Sequence, residues 1–247
     1  MAAPRGWPEV TPTPILVPGN MCDHRLWQAV ESDLSLLLGR RCAHADLTLD
    51  VSIKSMAERL LRDHRGEVLL IGLSLGAIVA VEAAVQCPDR VKGLVLCGYN
   101  ATADLPHRAA LRPAQQAVVR GGHLERVVVD ELKPNYLGQC HRGDAVLLDL
   151  LRDMAVDLGS EVFVRQSEAL RLRTDRVAQL AGLSVPVLYV AGKEDALCPP
   201  EWHQRWSDLT PGSRFRVIPG AGHMVPLEHP TLFLNALRRW YEEEQDL

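Results

Sequence analysis

A mostly parallel, doubly wound α/β sheet of about six strands, with an insertion of helices after the fourth, is the architecture this sequence predicts. Three observations carry it. Short runs apolar on both faces, such as Val68-Leu69-Leu70-Ile71 and Val91 to Leu96, need cover above and below, as strands of a buried parallel sheet do. Helical patterns alternate with these runs, as β-α-β crossovers require. The alternation breaks only between about residues 105 and 180, where helical stretches follow one another.

In chain order, Ile15-Leu16-Val17 is an apolar run closed by Pro18-Gly19, a turn pair that ends a strand. Leu26, Trp27, Val30, Leu34, Leu37 and Leu38 then repeat at helical spacing. A weaker strand covers Arg41 to Ala45, and Ser52 is placed as the N-cap of a helix whose inner face is Met56, Leu60 and Leu61. The third strand, Val68 to Ile71, stops at Gly72, and Leu75 to Val85 is an Ala/Val-rich helix with almost no polar face. After the fourth strand, Ala109 to Arg120, Leu124 to Leu132, Asp144 to Leu158 and Glu161 to Leu172 read as the inserted helices. Val185 to Val190 and Phe215 to Ile218 complete the sheet, and a last helix starts at Pro230. The expected organisation is a core of residues 1–104 and 181–247 with a helical cap of residues 105–180 over the sheet's carboxyl edge, where open α/β folds place their ligands.

Composition narrows the function. The 247 residues are 47% hydrophobic and 23% charged, with a net charge of −4, and suffice for one large domain. The acidic balance and the lack of a basic cluster exclude a nucleic-acid footprint. No apolar run approaches the roughly 18 residues of a membrane span. Proline at positions 4, 8, 12, 14 and 18 interrupts the first thirty residues, so no signal peptide and no membrane attachment are expected and the predicted location is cytoplasmic. Cys22, Cys42, Cys87, Cys97, Cys140 and Cys198 form no C-x-x-C pair, which predicts reduced thiols rather than a zinc site or a disulfide framework.

The chemistry concentrates in Gly72-Leu73-Ser74-Leu75-Gly76, a G-x-S-x-G sequence between a buried strand and a buried helix. In that context the glycines permit a sharp turn that lifts the Ser74 hydroxyl clear and aims the Leu75 amide at a developing oxyanion. A serine alcohol needs a base, and the base needs an orienting acid. Asp195, in the loop closing Tyr189-Val190-Ala191-Gly192, and His223, in Gly220-Ala221-Gly222-His223-Met224, follow in the order Ser, Asp, His. Glu194 and Asp104 are the competing acids. The other histidines, among them His203 and His229, fall on helices or loops without a glycine-flanked strand-end setting. The loop Pro18-Gly19-Asn20-Met21 is expected to supply the second oxyanion donor, from the amide of Asn20 first and of Met21 second.

These residues resemble the α/β-hydrolase fold family, specifically its compact bacterial carboxylesterase and lactonase members. The likeness rests on Leu16-Val17-Pro18-Gly19, on Leu70 through Gly76, on Pro88-Asp89-Arg90-Val91 and on Pro186 through Asp195. Gly220 through His223, with Glu228 and Pro230, completes it. Two departures stand out. Pro18 occupies the place where many members have His, and the chain begins almost at the first strand, so the family's leading antiparallel hairpin is expected to be missing. The resemblance implies a serine hydrolase acting on a small-molecule ester or lactone through an acyl-enzyme on Ser74, with no metal and no organic cofactor. A lyase or C–C bond hydrolase on the same fold, or a hydrolase-derived ligand receptor, is the alternative. A homodimer is left open. Leu, Val and Ala stripes on the cap helices predict an apolar pocket, and the ten arginines at 108, 112, 120, 126, 142, 152, 165, 171, 173 and 176 either recognise a carboxylate or phosphate on the substrate or on a carrier or, as is expected of them first, form a solvated helical surface.

Overall fold

All six expected strands are present in the computed structural model, which describes residues 11–132 and 135–245; Pro4 and Pro8 of the Pro-rich lead lie outside the described residues. They are β1 (Thr13–Val17), β2 (Ala43–His44), β3 (Val68–Leu73), β4 (Val91–Cys97), β5 (Val187–Gly192) and β6 (Arg214–Ile218). Every pairing is parallel, and the order across the sheet is β2-β1-β3-β4-β5-β6. The chain therefore moves outward from β1 to β2, then returns to continue on β1's other side. That reversal puts a crevice at the carboxyl ends of β1 and β3, the place where the loop Pro18-Gly19-Asn20 and the turn at Ser74 emerge.

Strand alternation divides the core into two layers. Ile15, Val17, Leu70, Leu94, Leu96 and Tyr189 face one apolar cluster, while Leu16, Leu69, Ile71, Val95, Leu188 and Val190 face another. The first cluster is closed by α2 (Ile53–Asp63), α3 (Leu75–Gln86), α7 (Val177–Leu180) and Trp206 of α8 (Pro200–Leu209). The second is closed by a 3-10 turn (His24–Trp27), α1 (Glu31–Leu37), α9 (Val225–Glu228) and α10 (Pro230–Gln245), with Trp27, Phe233 and Trp240 fully buried. Ser52 caps α2 as expected, its hydroxyl accepting from the Ser55 amide at 3.1 Å.

Between β4 and β5 lie α4 (Pro106–Arg120), α5 (Leu124–Arg126) and α6 (Ala145–Arg171). One detail differs from the expected helices. The stretch after α5 widens into a π-helix at Val127–Leu132, with Val127 and Val128 buried. The last two helices expected here are both present within α6, separated at Gly159, whose φ of 82° is left-handed and interrupts the helix. Val119, Val127, Ala155, Val162 and Phe163 give the insertion an apolar cluster of its own, and Met21 from the loop after β1 packs into it.

Candidate active site

Ser74 follows directly on β3 and sits at φ 53°, ψ −112°, a region that non-glycine residues rarely occupy. The neighbours make this turn possible. A Cβ on Gly72 would lie 2.6 Å from the Ala77 nitrogen, and one on Gly76 would collide with the Val17 carbonyl, so only glycine lets α3 start this close to β1. The Ser74 amide donates to the Cys97 carbonyl at 2.8 Å and pins the turn to β4. Leu75 opens α3, where a helix leaves its first amides without an intrahelical acceptor.

Asp195 and His223 are brought together from loops after β5 and β6. The Asp195 Oδ2 lies 2.7 Å from His223 Nδ1, and both side chains are buried. Asp195 Oδ1 accepts from the amides of Leu197 at 2.8 Å and Cys198 at 2.9 Å. Burial opposes ionisation of this carboxyl, but the facing His223 and the amides outweigh it and hold it below its ordinary value. An ionised Asp195 accepts a hydrogen bond from the Nδ1–H of His223, which leaves Nε2 as the nitrogen able to accept a proton. The competing acids are occupied elsewhere: Glu194 is exposed and accepts from the Gln139 amide, while Asp104 is clamped by Arg112 at 2.6 Å and Arg173 at 2.8 Å. Ser74 and His223 line one cavity with Asn20.

A model of the alpha/beta hydrolase family matches residues 15–236. The chain belongs to the alpha/beta hydrolase family. This hydrolase is 31% identical over 192 residues to the pimeloyl-(acyl-carrier protein) methyl ester esterase of Edwardsiella ictaluri, which covers 75% of this chain and 74% of that one. It is 26% identical over 247 residues to the biotin biosynthesis bifunctional protein BioHC of Cellvibrio japonicus; that match takes in 94% of this chain but spans only 48% of the longer protein. Among solved structures, a thermophilic esterase from Thermogutta terrifontis, malate bound, has a TM-score of 0.85 and 27% identity, with 95% of this chain and 91% of that chain covered. The enol-lactonase from Burkholderia xenovorans LB400 shares the fold at a TM-score of 0.83 and 18% identity, covering 96% and 94% of the two chains.

The hydrolase fastens the loop after β1 in a way the sequence did not reveal. Met21, at φ 54°, donates its amide to Gln166 Oε1 at 2.8 Å, and Gln166 Nε2 donates to the Leu47 carbonyl at 3.2 Å. Met21 is thereby corrected as a second oxyanion donor, because its N–H is already taken, and the Asn20 amide is left as the candidate from this loop. Gln166 is buried on α6, so the insertion itself positions the loop. Gln166→Ala is expected to lower kcat about tenfold with little change in KM, and to cost about 2 kcal/mol by orphaning a buried donor and acceptor. Steady-state kinetics beside urea unfolding checks this, and an unchanged kcat in folded variant would refute it.

His203 is a second residue that its sequence context hid. It is fully buried beneath the acid loop; Nε2 accepts from the Tyr99 amide at 2.8 Å, and Nδ1 faces the Pro199 carbonyl at 3.3 Å. That arrangement needs the neutral ring, and burial pushes its pKa down to about 4 from an ordinary value of 6.5. An unfolded chain takes up this proton near pH 6.5 while the folded chain resists until about 4, so folding stability falls as pH drops through that window and levels off below it. The expected loss is about 3 kcal/mol. Urea unfolding at several pH values should show the fall in stability between about pH 6.5 and 4 reduced by that amount in His203→Gln; an identical fall would rule the histidine out.

Metal-type donors come together twice among the described residues, at Asp195, Cys198 and His223, and at Cys140, His141 and His229. In the first group the Asp195 and His223 atoms are engaged in the hydrogen bonds given above. The cavity over Ser74 holds about 400 Å³. Its lining is mixed rather than purely apolar: Ile78, Leu111, Leu132 and Leu170 stand beside Asp104, Arg173 and the α4 residues Arg108, Arg112 and Gln115. Three of the ten arginines expected on the solvated surface thus face the site. Tyr136 flanks it too, its ring 5.9 Å from that of His223 and its carbonyl accepting the His223 amide at 2.7 Å.

Proposed function

We propose that this alpha/beta hydrolase is a serine hydrolase that cleaves a small-molecule carboxylic ester or lactone through an acyl-enzyme on Ser74. The observation that carries the reading is the buried Asp195–His223 pair, 2.7 Å apart, whose His223 lines the same cavity as a serine at a strained strand-to-helix turn. His223 Nε2 accepts the hydroxyl proton as Ser74 Oγ attacks the carbonyl carbon. The amides of Leu75 and Asn20 receive the oxyanion, whose charge also meets the N-terminal end of α3. The ester C–O bond breaks, and the alcohol departs with the proton held on His223. Water then gives a proton to His223 and attacks the acyl carbon; collapse of that intermediate frees the acid and returns the proton to Ser74. Asp195 remains ionised throughout and stabilises the imidazolium.

Relatives named as methyl ester esterase and esterase support ester hydrolysis. A cavity of about 400 Å³ is at the lower end of small-molecule sites and supports a compact substrate. The test is hydrolysis of p-nitrophenyl esters of two to about twelve acyl carbons, a series in which each methylene resolves about 1 to 3 kcal/mol at best. A phosphonofluoridate should label the peptide that carries Ser74 and stop turnover. Folded protein that neither turns over the series nor takes the label would overturn the reading.

A further inference from the structure

We propose that Arg108 forms an anion-recognition subsite in the cavity above Ser74, and that the ester hydrolysed there carries a second, negatively charged oxyanion group, a carboxylate or a phosphate. The proposal rests on the reading of Ser74 as nucleophile. Arg108 and Arg112 lie one turn apart on α4, both on the cavity wall. Residues so spaced are neighbours on a helix surface, and like charges there repel. Arg112 is compensated by Asp104, but the same buried carboxylate also serves Arg173. Arg108 enters none of the ion pairs among the described residues. The other carboxylate at the cavity, Glu131, is exposed and accepts from Gln115. Three guanidiniums thus face two carboxylates, one of them exposed.

Arg108 is also held in place, unlike a surface arginine. Its Nη2 donates to the Leu197 carbonyl at 3.2 Å, two residues from Asp195, while Arg120 and Arg126 of the same insertion are exposed. One donor of the fork is spent on that carbonyl, and the remainder suit a planar oxyanion approached from the cavity. Burial pushes both the Cys198 thiol beside Asp195 and the Tyr136 phenol beside His223 up, and the Arg108 charge works against that shift at each. Ser74, His223 and Arg108 share one space of about 400 Å³, so a single small molecule spans ester and anion.

The test compares kcat/KM for monoethyl adipate, an anion at neutral pH, with that for ethyl hexanoate, a neutral ester of similar length. The wild-type protein should favour the anionic ester, and Arg108→Gln should lower the anionic-to-neutral ratio about tenfold or more. Arg108→Lys, which keeps the charge without the fork, should fall between, and salt should erode the wild-type preference. An ester ending in a phosphonate, run beside the adipate, tells which oxyanion is preferred. Equal ratios in wild type and a folded Arg108→Gln, or a wild-type preference for ethyl hexanoate, would overturn the subsite. If neither ester is turned over, Ser74 chemistry fails separately, and calorimetry with adipate decides: binding weakened by Arg108→Gln upholds the subsite, and equal or absent binding refutes it.

Discussion

Replacing Ser74 with alanine is expected to lower kcat for ester hydrolysis by about 10⁴ to 10⁶ while leaving the fold unchanged. Alanine keeps the Cβ that already tolerates φ 53° at this turn and keeps the amide that donates to Cys97, so only the hydroxyl is lost. Without Oγ there is no acyl-enzyme, and direct attack by water must cross a barrier from which only the oxyanion amides and substrate binding still subtract. His223→Ala should be similarly inactive, and the double variant no worse than the more damaging single change, because the two groups act as one unit. Thermal unfolding of each variant, run beside single-turnover hydrolysis, separates lost chemistry from lost structure. Wild-type turnover by folded Ser74→Ala would send the search to another nucleophile.

The strands were readable because burial on both faces writes a continuous apolar run, and Val68 to Leu73 is buried at every position. Ser74, Asp195 and His223 could be picked out as candidates for a related reason: each follows a strand within a few residues, with a glycine no more than three positions away. The contacts that hold these groups in place left no such local mark. Gln166 reaches Met21 across 145 residues, and His203 reaches Tyr99 across 104. Spacing along a helix gives its period but not which neighbour each face meets, so Arg108 and Arg112 of α4 read as solvated when they line the cavity. The break at Gly159 was legible as a gap between two helices. The π-turn at Val127–Leu132 was not, since its residues keep an ordinary helical pattern.

Glu228 is where the largest loss of stability is expected. Its carboxylate is completely buried and accepts from three backbone amides, those of Gly138 at 2.6 Å, Gly222 at 3.0 Å and Met224 at 3.0 Å. Gly222 and Met224 bracket His223, and Gly138 belongs to the insertion 90 residues away, so one side chain ties the histidine loop to the segment that carries Tyr136. Glu228→Ala strands three buried donors at once. The cost should be about 3 to 5 kcal/mol, which for a chain of this size lowers Tm by about 10 °C. Glu228→Gln keeps the shape and one oxygen but turns an NH₂ toward a backbone N–H, so it should fall between alanine and wild type. Because freeing the loop lets His223 drift from Asp195 and Ser74, kcat should drop by 10- to 100-fold, on the order expected for a displacement near 1 Å. Calorimetry and ester hydrolysis on both variants check the pair of effects. An alanine variant with unchanged Tm would mean that water replaces the carboxylate, and a lowered Tm with unchanged kcat would mean that the loop is positioned by the Tyr136 carbonyl alone.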